Sequence, residues 1–519
     1  MSTSQAFVNL ILQELRLVWS RGFYPKPKPM PRARSFWITQ AVVLLAMLAY
    51  ILYFSFFLIN KHNAFRTNGE DLGIMDQAIW SLLHGSLFNQ TICNPLTDTN
   101  CYGLGGISRF AIHYEPILFP ISLIYLVWAN PIVLMVFQVL VVASGALPAF
   151  WLARLRLRNN WAAVAFPLLY LLYPAQQYAV NFDFHAVTLT ISLLLFALYF
   201  LYTRKTISFF IFIVLCLACK EEIAGVVLML GLWTIILQRR YRVGLGLIVL
   251  ALLWTGLGLL VVHYASPLGH SLLASRYAYL GTGPLQIAKY ILSHPISLLQ
   301  QHLWEGSHRL YLVKLLEPAG LLPLFAPWAL ILALPTLALN LLSSTPNMYS
   351  GDFQYSAEII PILIFSAIEG VVVILWIANK LLAALNSKSA EEEAPPLSLQ
   401  QKQVFSPVSL ARVFLLTGLL VYMLCSVYNS TTKYDVYSVM PYARGFIKIQ
   451  VTPHNLRAYH FLNEIPPDAS VATQTSLVPH LSERKSIYLF PYATGNTDYI
   501  LLDASGYIYP FRNYAGFAT

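Results

Sequence analysis

Long apolar runs recur along this chain from Phe36 to Tyr428, with short polar gaps between them. A run of about 20 apolar residues spans a bilayer as a helix. In hydrocarbon the backbone groups must find partners within the segment, so the runs are read as helices. A transmembrane barrel would show shorter, alternating segments instead. Composition agrees: 57% of the 519 residues are apolar, 11% are charged, and the mean hydropathy is +0.60. A soluble protein carries roughly 25% charge. The expected fold class is an all-α polytopic membrane protein whose first partner is the lipid bilayer.

The net charge of +10 does not make nucleic acid a partner. Lys and Arg cluster beside the apolar runs, as the positive-inside rule requires, and no zinc-finger spacing or arginine-rich tail is present. Arg16, Arg21, Lys26, Lys28, Arg32 and Arg34 precede the first span, which places the N-terminus in the cytoplasm. Arg154, Arg156 and Arg158, then Arg204 and Lys205, then Arg239, Arg240 and Arg242 mark further inner loops. Threading the chain through these points gives about eleven transmembrane helices. They are read at 36–60, 131–153, 161–179, 185–203, a shallow hairpin over 207–237, 243–263, a hairpin within 309–344, 357–379 and 411–428. Residues 264–308 are read as mixed, with short amphipathic pieces. An odd number of crossings puts the C-terminus on the other side.

Three parts are expected: a cytoplasmic segment 1–35 with an amphipathic helix over 5–19, a transmembrane domain 36–428 with a large outer loop 61–130, and a small extracytoplasmic α/β domain 429–519. In the last part, strand-like runs Ser470–Thr473, Ser486–Phe490 and Tyr499–Leu502 alternate with helix-like 454–463 and 476–482. Pro116–Trp128 is read as a helix at the outer interface, and 380–412 as a flexible inner loop with a Glu391-Glu392-Glu393 run. Cys93 and Cys101 share the outer loop and are a disulfide candidate in an oxidising compartment.

Ionisable groups near hydrocarbon are costly and tend to mark sites. Five groups fall on one side in this threading. Glu70, Asp71 and Asp76 stand before a short amphipathic helix read over Gln77–Leu83. Asp71 suits either a helix N-cap or a general base. His113-Tyr114-Glu115-Pro116 puts an imidazole and a carboxylate in one turn, able to orient each other, bind phosphate or ligate a metal, or simply to form a polar turn. Asp183-Phe184-His185 sits at the mouth of a span. Lys220-Glu221-Glu222 crowns the shallow hairpin, where the lysine can hold a phosphate or close an internal salt bridge. Tyr355 and Glu358 lie where the chain re-enters at Pro361. Independent bland roles would not require all five to share a side.

The stretch Asp71–Phe88 (DLGIMDQAIWSLLHGSLF) resembles the first outer loop of the GT-C superfamily of membrane glycosyltransferases. His113–Pro116, Lys220-Glu221-Glu222 and Tyr355–Pro361 resemble later segments of that superfamily. Over most of its length the chain more narrowly resembles an uncharacterised family of bacterial polytopic membrane proteins placed near it, through DLGIMDQAIW, HYEP, KEE and QYSAEIIP. Glu115 departs from the GT-C pattern, and the C-terminal part is short.

The resemblance implies inverting transfer of a sugar from a polyprenyl-phosphate donor in the bacterial plasma membrane. Asp71 would be the base, Lys220 would hold the departing phosphate and His113 would assist. Asp71, His113 and Glu115 are the candidate catalytic residues. Asp76, Gln77, Asp183, His185, Lys220, Glu221, Glu222 and Tyr355 are the candidate substrate-binding residues. No cofactor is called for, though the resemblance leaves room for a divalent metal.

A transporter is the main rival, but transporters show inverted repeats and midplane charges, and no repeat is visible. A non-catalytic envelope assembly protein is the second rival, and it gives no reason for the five groups to converge. No P-loop, Rossmann fingerprint or HExxH helix occurs.

Overall fold

The computed structural model describes residues 27–94, 101–303, 305–392, 407–433, 439–443, 445–506, 508 and 511. The helix expected over 5–19 lies outside the described residues. Among the described residues, five helices are long and apolar enough to cross a membrane: Arg34–Asn63, Pro131–Leu157, Tyr241–Ala265, Ile359–Leu382 and Leu410–Lys433. Shorter apolar helices run over Asn160–Leu171, Ala186–Tyr202, Thr206–Leu217, Ile223–Gln238 and Pro327–Leu341.

The first long helix shows why such a segment belongs in lipid. Phe36, Val43, Met47, Tyr50, Phe54 and Leu58 recur at helical spacing and are buried against the bundle. Leu44, Leu45, Leu48, Leu52 and Phe56 leave the same helix by its other face and stay 48–71% exposed. A face that apolar would be an aggregation liability in water and is at home against acyl chains. Helix packing leans on small residues, as it must where lipid removes the hydrophobic drive between helices. Helices Ile223–Gln238 and Tyr241–Ala265 meet at paired glycines. A Cβ on Gly231 would lie 2.9 Å from the Gly244 carbonyl oxygen, and one on Gly244 would lie 2.6 Å from that of Gly231.

One element departs from the reading of 380–412 as a loop. The helix that begins at Ile359 runs on to Glu392, and the next begins at Pro407. The segment Lys380–Asn386 (KLLAALN) is rich in good helix formers, so a charge run beyond a span does not end its helix.

Between the first two long helices, the loop forms helix Ile74–Leu83, a short antiparallel pair β1 (Asn89–Gln90) and β2 (Ile107–Ser108), and helix Leu118–Tyr125. Cys93 and Cys101 are disulfide-bonded in this loop. Towards the C-terminus, helix Pro453–Asn463 precedes a three-stranded parallel sheet of β3 (Val471–Thr473), β4 (Ile487–Leu489) and β5 (Tyr499–Leu501), with β3 in the middle. This sheet does not bury its core alone. Val471, Leu477, Val478, Leu481, Ile487 and Leu489 share one cluster with Phe65, Ile74 and Ile92 of the loop.

That shared core sets the backbone at Gly69–Gly73, a single wide turn leading into helix Ile74–Leu83. Val478 packs on it so closely that a Cβ on Gly69 would stand 2.8 Å from the valine Cβ, and one on Gly73 would stand 2.7 Å from a valine methyl. Gly69→Ala should therefore destabilise the protein by about 1–3 kcal/mol through overpacking. Gly69→Ala combined with Val478→Ala should recover part of that loss. Thermal unfolding of the two purified variants in detergent measures both effects.

Candidate functional site

The site forms at the end of the bundle where the first long helix enters its loop. Lys61 is at the tip of that helix, and its Nζ donates to Asp183 Oδ1 at 2.7 Å and to the Asn181 carbonyl at 2.5 Å. The other Asp183 oxygen accepts the Asn68 backbone N–H at 2.7 Å. Asn68 in turn caps the wide turn, its side-chain oxygen accepting from Glu70 N–H at 2.8 Å and from the Thr475 hydroxyl at 2.9 Å. These bonds deliver Asp71 to His185, whose Nε2 lies 3.1 Å from Asp71 Oδ1. Gln138 fixes the histidine from behind. Its amide oxygen accepts His185 N–H at 3.0 Å, and its amide nitrogen donates to the Asp183 carbonyl at 2.9 Å. The Asp71 side chain remains about a fifth exposed. No hydrogen bond to its Oδ2 occurs among the described residues.

A second group stands beside the first. Arg109 reaches both oxygens of Glu115, at 2.8 and 3.3 Å. His113 Nδ1 is 2.8 Å from Glu221 Oε1, and Tyr114 N–H donates to Glu221 Oε2 at 2.9 Å. Lys220 donates to Glu222 at 2.7 Å. Two cations stand near the Tyr355 ring, with Lys220 Nζ 6.0 Å and the Arg276 guanidinium 5.8 Å from its centre. Glu358 is buried and accepts the Thr336 hydroxyl. Ile117 N–H donates to the Ala218 carbonyl at 2.9 Å and ties the loop to this hairpin tip.

Electrostatics join the two groups. Burial works against the Arg109 charge, but Glu115, Glu221 and Asp71 together outweigh it and raise its pKa. Burial, with the Lys220 and Arg109 charges, holds His113 well below the usual imidazole range, so the ring is neutral and offers a hydrogen bond rather than a charge. Burial would raise Glu115, yet the charge and hydrogen bonds of Arg109 hold it below its ordinary value. Both Glu115 oxygens are thus committed to a buried ion pair.

The structure therefore brings Asp71, His185 and Asp183 into one hydrogen-bonded group. His113, Glu115, Lys220, Glu221, Glu222 and Tyr355 gather in the other. Asp76 and Gln77 turn away from both. Asp76 is fully buried and accepts the Tyr125 hydroxyl at 2.5 Å and the Ser482 hydroxyl at 2.7 Å. Gln77 bonds Thr91 and the Arg484 carbonyl. Three cations were not singled out from sequence, Lys61, Arg109 and Arg276, nor were the positioning amides Asn68 and Gln138. Lys61 and Arg109 carried a readable signal, a cation at a span end and a cation four residues before His113. Among the described residues no group of three or more His, Cys, Asp or Glu is arranged to hold a metal ion. The histidine–carboxylate contacts here come as separate pairs.

The sequence matches the family described as predicted membrane protein DUF2079 over residues 61–513. The chain belongs to that family. It is a membrane protein with several apolar helices, and the family of polytopic membrane proteins expected from the HYEP and KEE segments is borne out. No curated protein matches the sequence. Among solved structures it is similar to an archaeal oligosaccharyltransferase, AglB from Archaeoglobus fulgidus, solved with an inhibitory peptide and a dolichol-phosphate. The identity is 12% and the TM-score 0.41, covering 87% of this chain and 65% of the other, so the chain spans just under two thirds of that protein's length. A likeness at this level assigns neither fold nor function.

The burial of Asp76 has a measurable consequence. Burial lifts its carboxyl from 3.8 to about 7, against the two hydroxyl bonds that lower it, and Glu483 beside it is raised as well. A carboxyl raised on folding stabilises most below its unfolded pKa and loses that contribution as pH climbs through the folded value. Docking of the β3–β5 segment on helix Ile74–Leu83 should accordingly weaken between about pH 4 and pH 7. Asp76→Asn keeps a neutral partner for both hydroxyls, relieves Glu483, and should flatten this dependence. Hydrogen exchange over residues 471–489 at pH 5 and pH 8, corrected for intrinsic rates, measures it.

Proposed function

We propose that this chain is a membrane glycosyltransferase that moves a sugar from a polyprenyl-phosphate donor to an acceptor hydroxyl outside the cytoplasm. The observation that supports the reading is Asp71. It is a partly exposed carboxylate oriented through one oxygen by His185, and it stands beside a group that contains the cations Arg109, Lys220 and Arg276. In this reading Asp71 Oδ2 accepts the proton of the acceptor hydroxyl as that oxygen attacks the anomeric carbon from the face opposite the phosphate. The bond from the anomeric carbon to the phosphate oxygen breaks, and its electron pair leaves with the lipid phosphate. Inversion follows from the opposed faces. Lys220 and Arg276, both within 6.0 Å of the Tyr355 ring centre, would take up the charge that grows on the phosphate. Neutral His113 contributes a hydrogen bond, while Glu115 holds Arg109. No step requires a metal.

The same reading places the site on the extracytoplasmic side of the plasma membrane, with the N-terminus in the cytoplasm. About eleven crossings are proposed, the shorter apolar helices completing the five long ones. The division at residues 35 and 428 belongs to this proposal too.

The test is release of polyprenyl phosphate from labelled polyprenyl-phosphate sugars by membranes containing the protein. Asp71→Asn should lower release about 10²–10⁴-fold, the usual range for loss of a general base. Lys220→Met should lower it as well. Unchanged release with Asp71→Asn would remove Asp71 as the base. No release from any donor of this class would sink the transferase reading.

A further inference from the structure

The sheet near the C-terminus carries a second candidate site that the transferase reading does not use. In parallel sheets, ligands settle in the crevice at the carboxyl ends of strands where neighbouring connections diverge. β3 is such a place, because it has β4 on one side and β5 on the other. A groove of about 510 Å³ opens there between helix Pro453–Asn463 and the chain after β5. That volume falls within the range of small-molecule sites, about 300–1,000 Å³.

Its lining is divided by chemistry. His454, Arg457, Ala458 and Phe461 lie at positions i, i+3, i+4 and i+7 of the helix, which is one face. Phe461, Leu477 and Leu501 make an apolar end, and His454 and Arg457 make a basic end. The basic end is built rather than incidental. His454 Nε2 is 2.7 Å from Asp503 Oδ2, and Ser505 Oγ donates to Asp503 Oδ1 at 2.9 Å. Gln474 holds the Asp503 backbone, its amide oxygen accepting at 2.9 Å and its amide nitrogen donating at 3.2 Å. Arg457 is exposed and has no hydrogen-bond or ion-pair partner among the described residues. Ser505, His454 and Asp503 do not form a nucleophile relay, since one histidine nitrogen faces both of the others.

We propose that this groove binds an amphiphile whose carboxylate or phosphate head pairs with Arg457 and His454 and whose apolar body lies along Phe461, Leu477 and Leu501. An unpaired guanidinium beside an anchored imidazole is complementary to such an oxyanion and favours it over a neutral hydroxyl. The apolar end excludes a bare inorganic ion as the best ligand. The site stands independently of the transferase reading.

Titration calorimetry on the full chain in nanodiscs of zwitterionic lipid tests this, with hexyl phosphate, hexanoate and hexanol as probes. Saturable binding of at least one anion is expected. Arg457→Gln should weaken it at least about tenfold, the effect of losing one charge-assisted contact. Phe461→Ser should weaken it as well, and the tighter of the two anions identifies the head group. Hexanol should show no binding that Arg457→Gln alters. Equal anion binding by the wild type and Arg457→Gln, or no saturable anion binding by the wild type, would overturn the proposal. Both substituted side chains are exposed on the helix, so matching thermal unfolding of the variants checks that lost binding is not lost fold.

Discussion

The ion pair between Lys61 and Asp183 governs this structure. It ties the tip of the first long helix to the turn before helix Ala186–Tyr202, two elements separated by 122 residues in the chain. Asp183 then spends its second oxygen on the Asn68 backbone, and Asn68 caps the turn that presents Asp71. A carboxylate buried near hydrocarbon is tolerated only when paired and fully bonded. The Asp183 carboxylate meets that condition with one donor on each oxygen, Lys61 and the Asn68 N–H, and the geometry that satisfies it also sets the Asp71 loop. Asp183 adopts a left-handed backbone conformation, φ 68°, to aim its side chain at both partners. Such strain in a non-glycine residue persists only where surrounding bonds over-determine it.

The same economy explains which groups stay open. Arg109 is matched by Glu115, Lys220 by Glu222 and Lys61 by Asp183. Each pair offsets its own desolvation, so the site end of the bundle carries many charges without a large net field. Asp71 and Glu221 are different, because each faces a histidine rather than a lysine or arginine. The neutral His113 meets Glu221 with a hydrogen bond and without cancelling the carboxylate charge. Glu221 also accepts the Tyr114 N–H, which leaves Asp71 with the less occupied carboxylate of the two. The selection of Asp71 as the proposed base thus comes from its surroundings and not from its being acidic.

Much of this was legible in the sequence, and the gaps have physical causes. Apolar run length located the long helices because a bilayer imposes a length on any segment that crosses it. Charge beside apolar runs located the clusters at residues 113, 183, 220 and 355 because such charge is expensive wherever it occurs. Direction was harder to read. Asp71 and Asp76 are five residues apart, which on a regular helix separates them by about 140°, and the wide turn at Gly69–Gly73 adds to that. One faces the bundle and the other faces the sheet. Pairing was not legible either, since Lys61 and Arg276 find their partners across 122 and 79 positions of sequence. The helix that continues to Glu392 shows the opposite error, in which polarity was read as an end although the local helix propensity carries on.

The dependence of the loop on the C-terminal sheet follows from size. Three strands of three residues each bury too little apolar area to offset the entropy of ordering them alone. The loop around Asp71 is short of packing on its own as well, with glycines at two positions where a side chain would otherwise fill space. Each supplies what the other lacks. Val478 fills the concavity over Gly69 and Gly73, Thr475 closes the cap at Asn68, and Ser482 with Tyr125 surrounds Asp76. The sheet is in this sense the second wall of the Asp71 loop, and a change that loosens it should be felt at Asp71 before it is felt in the helices.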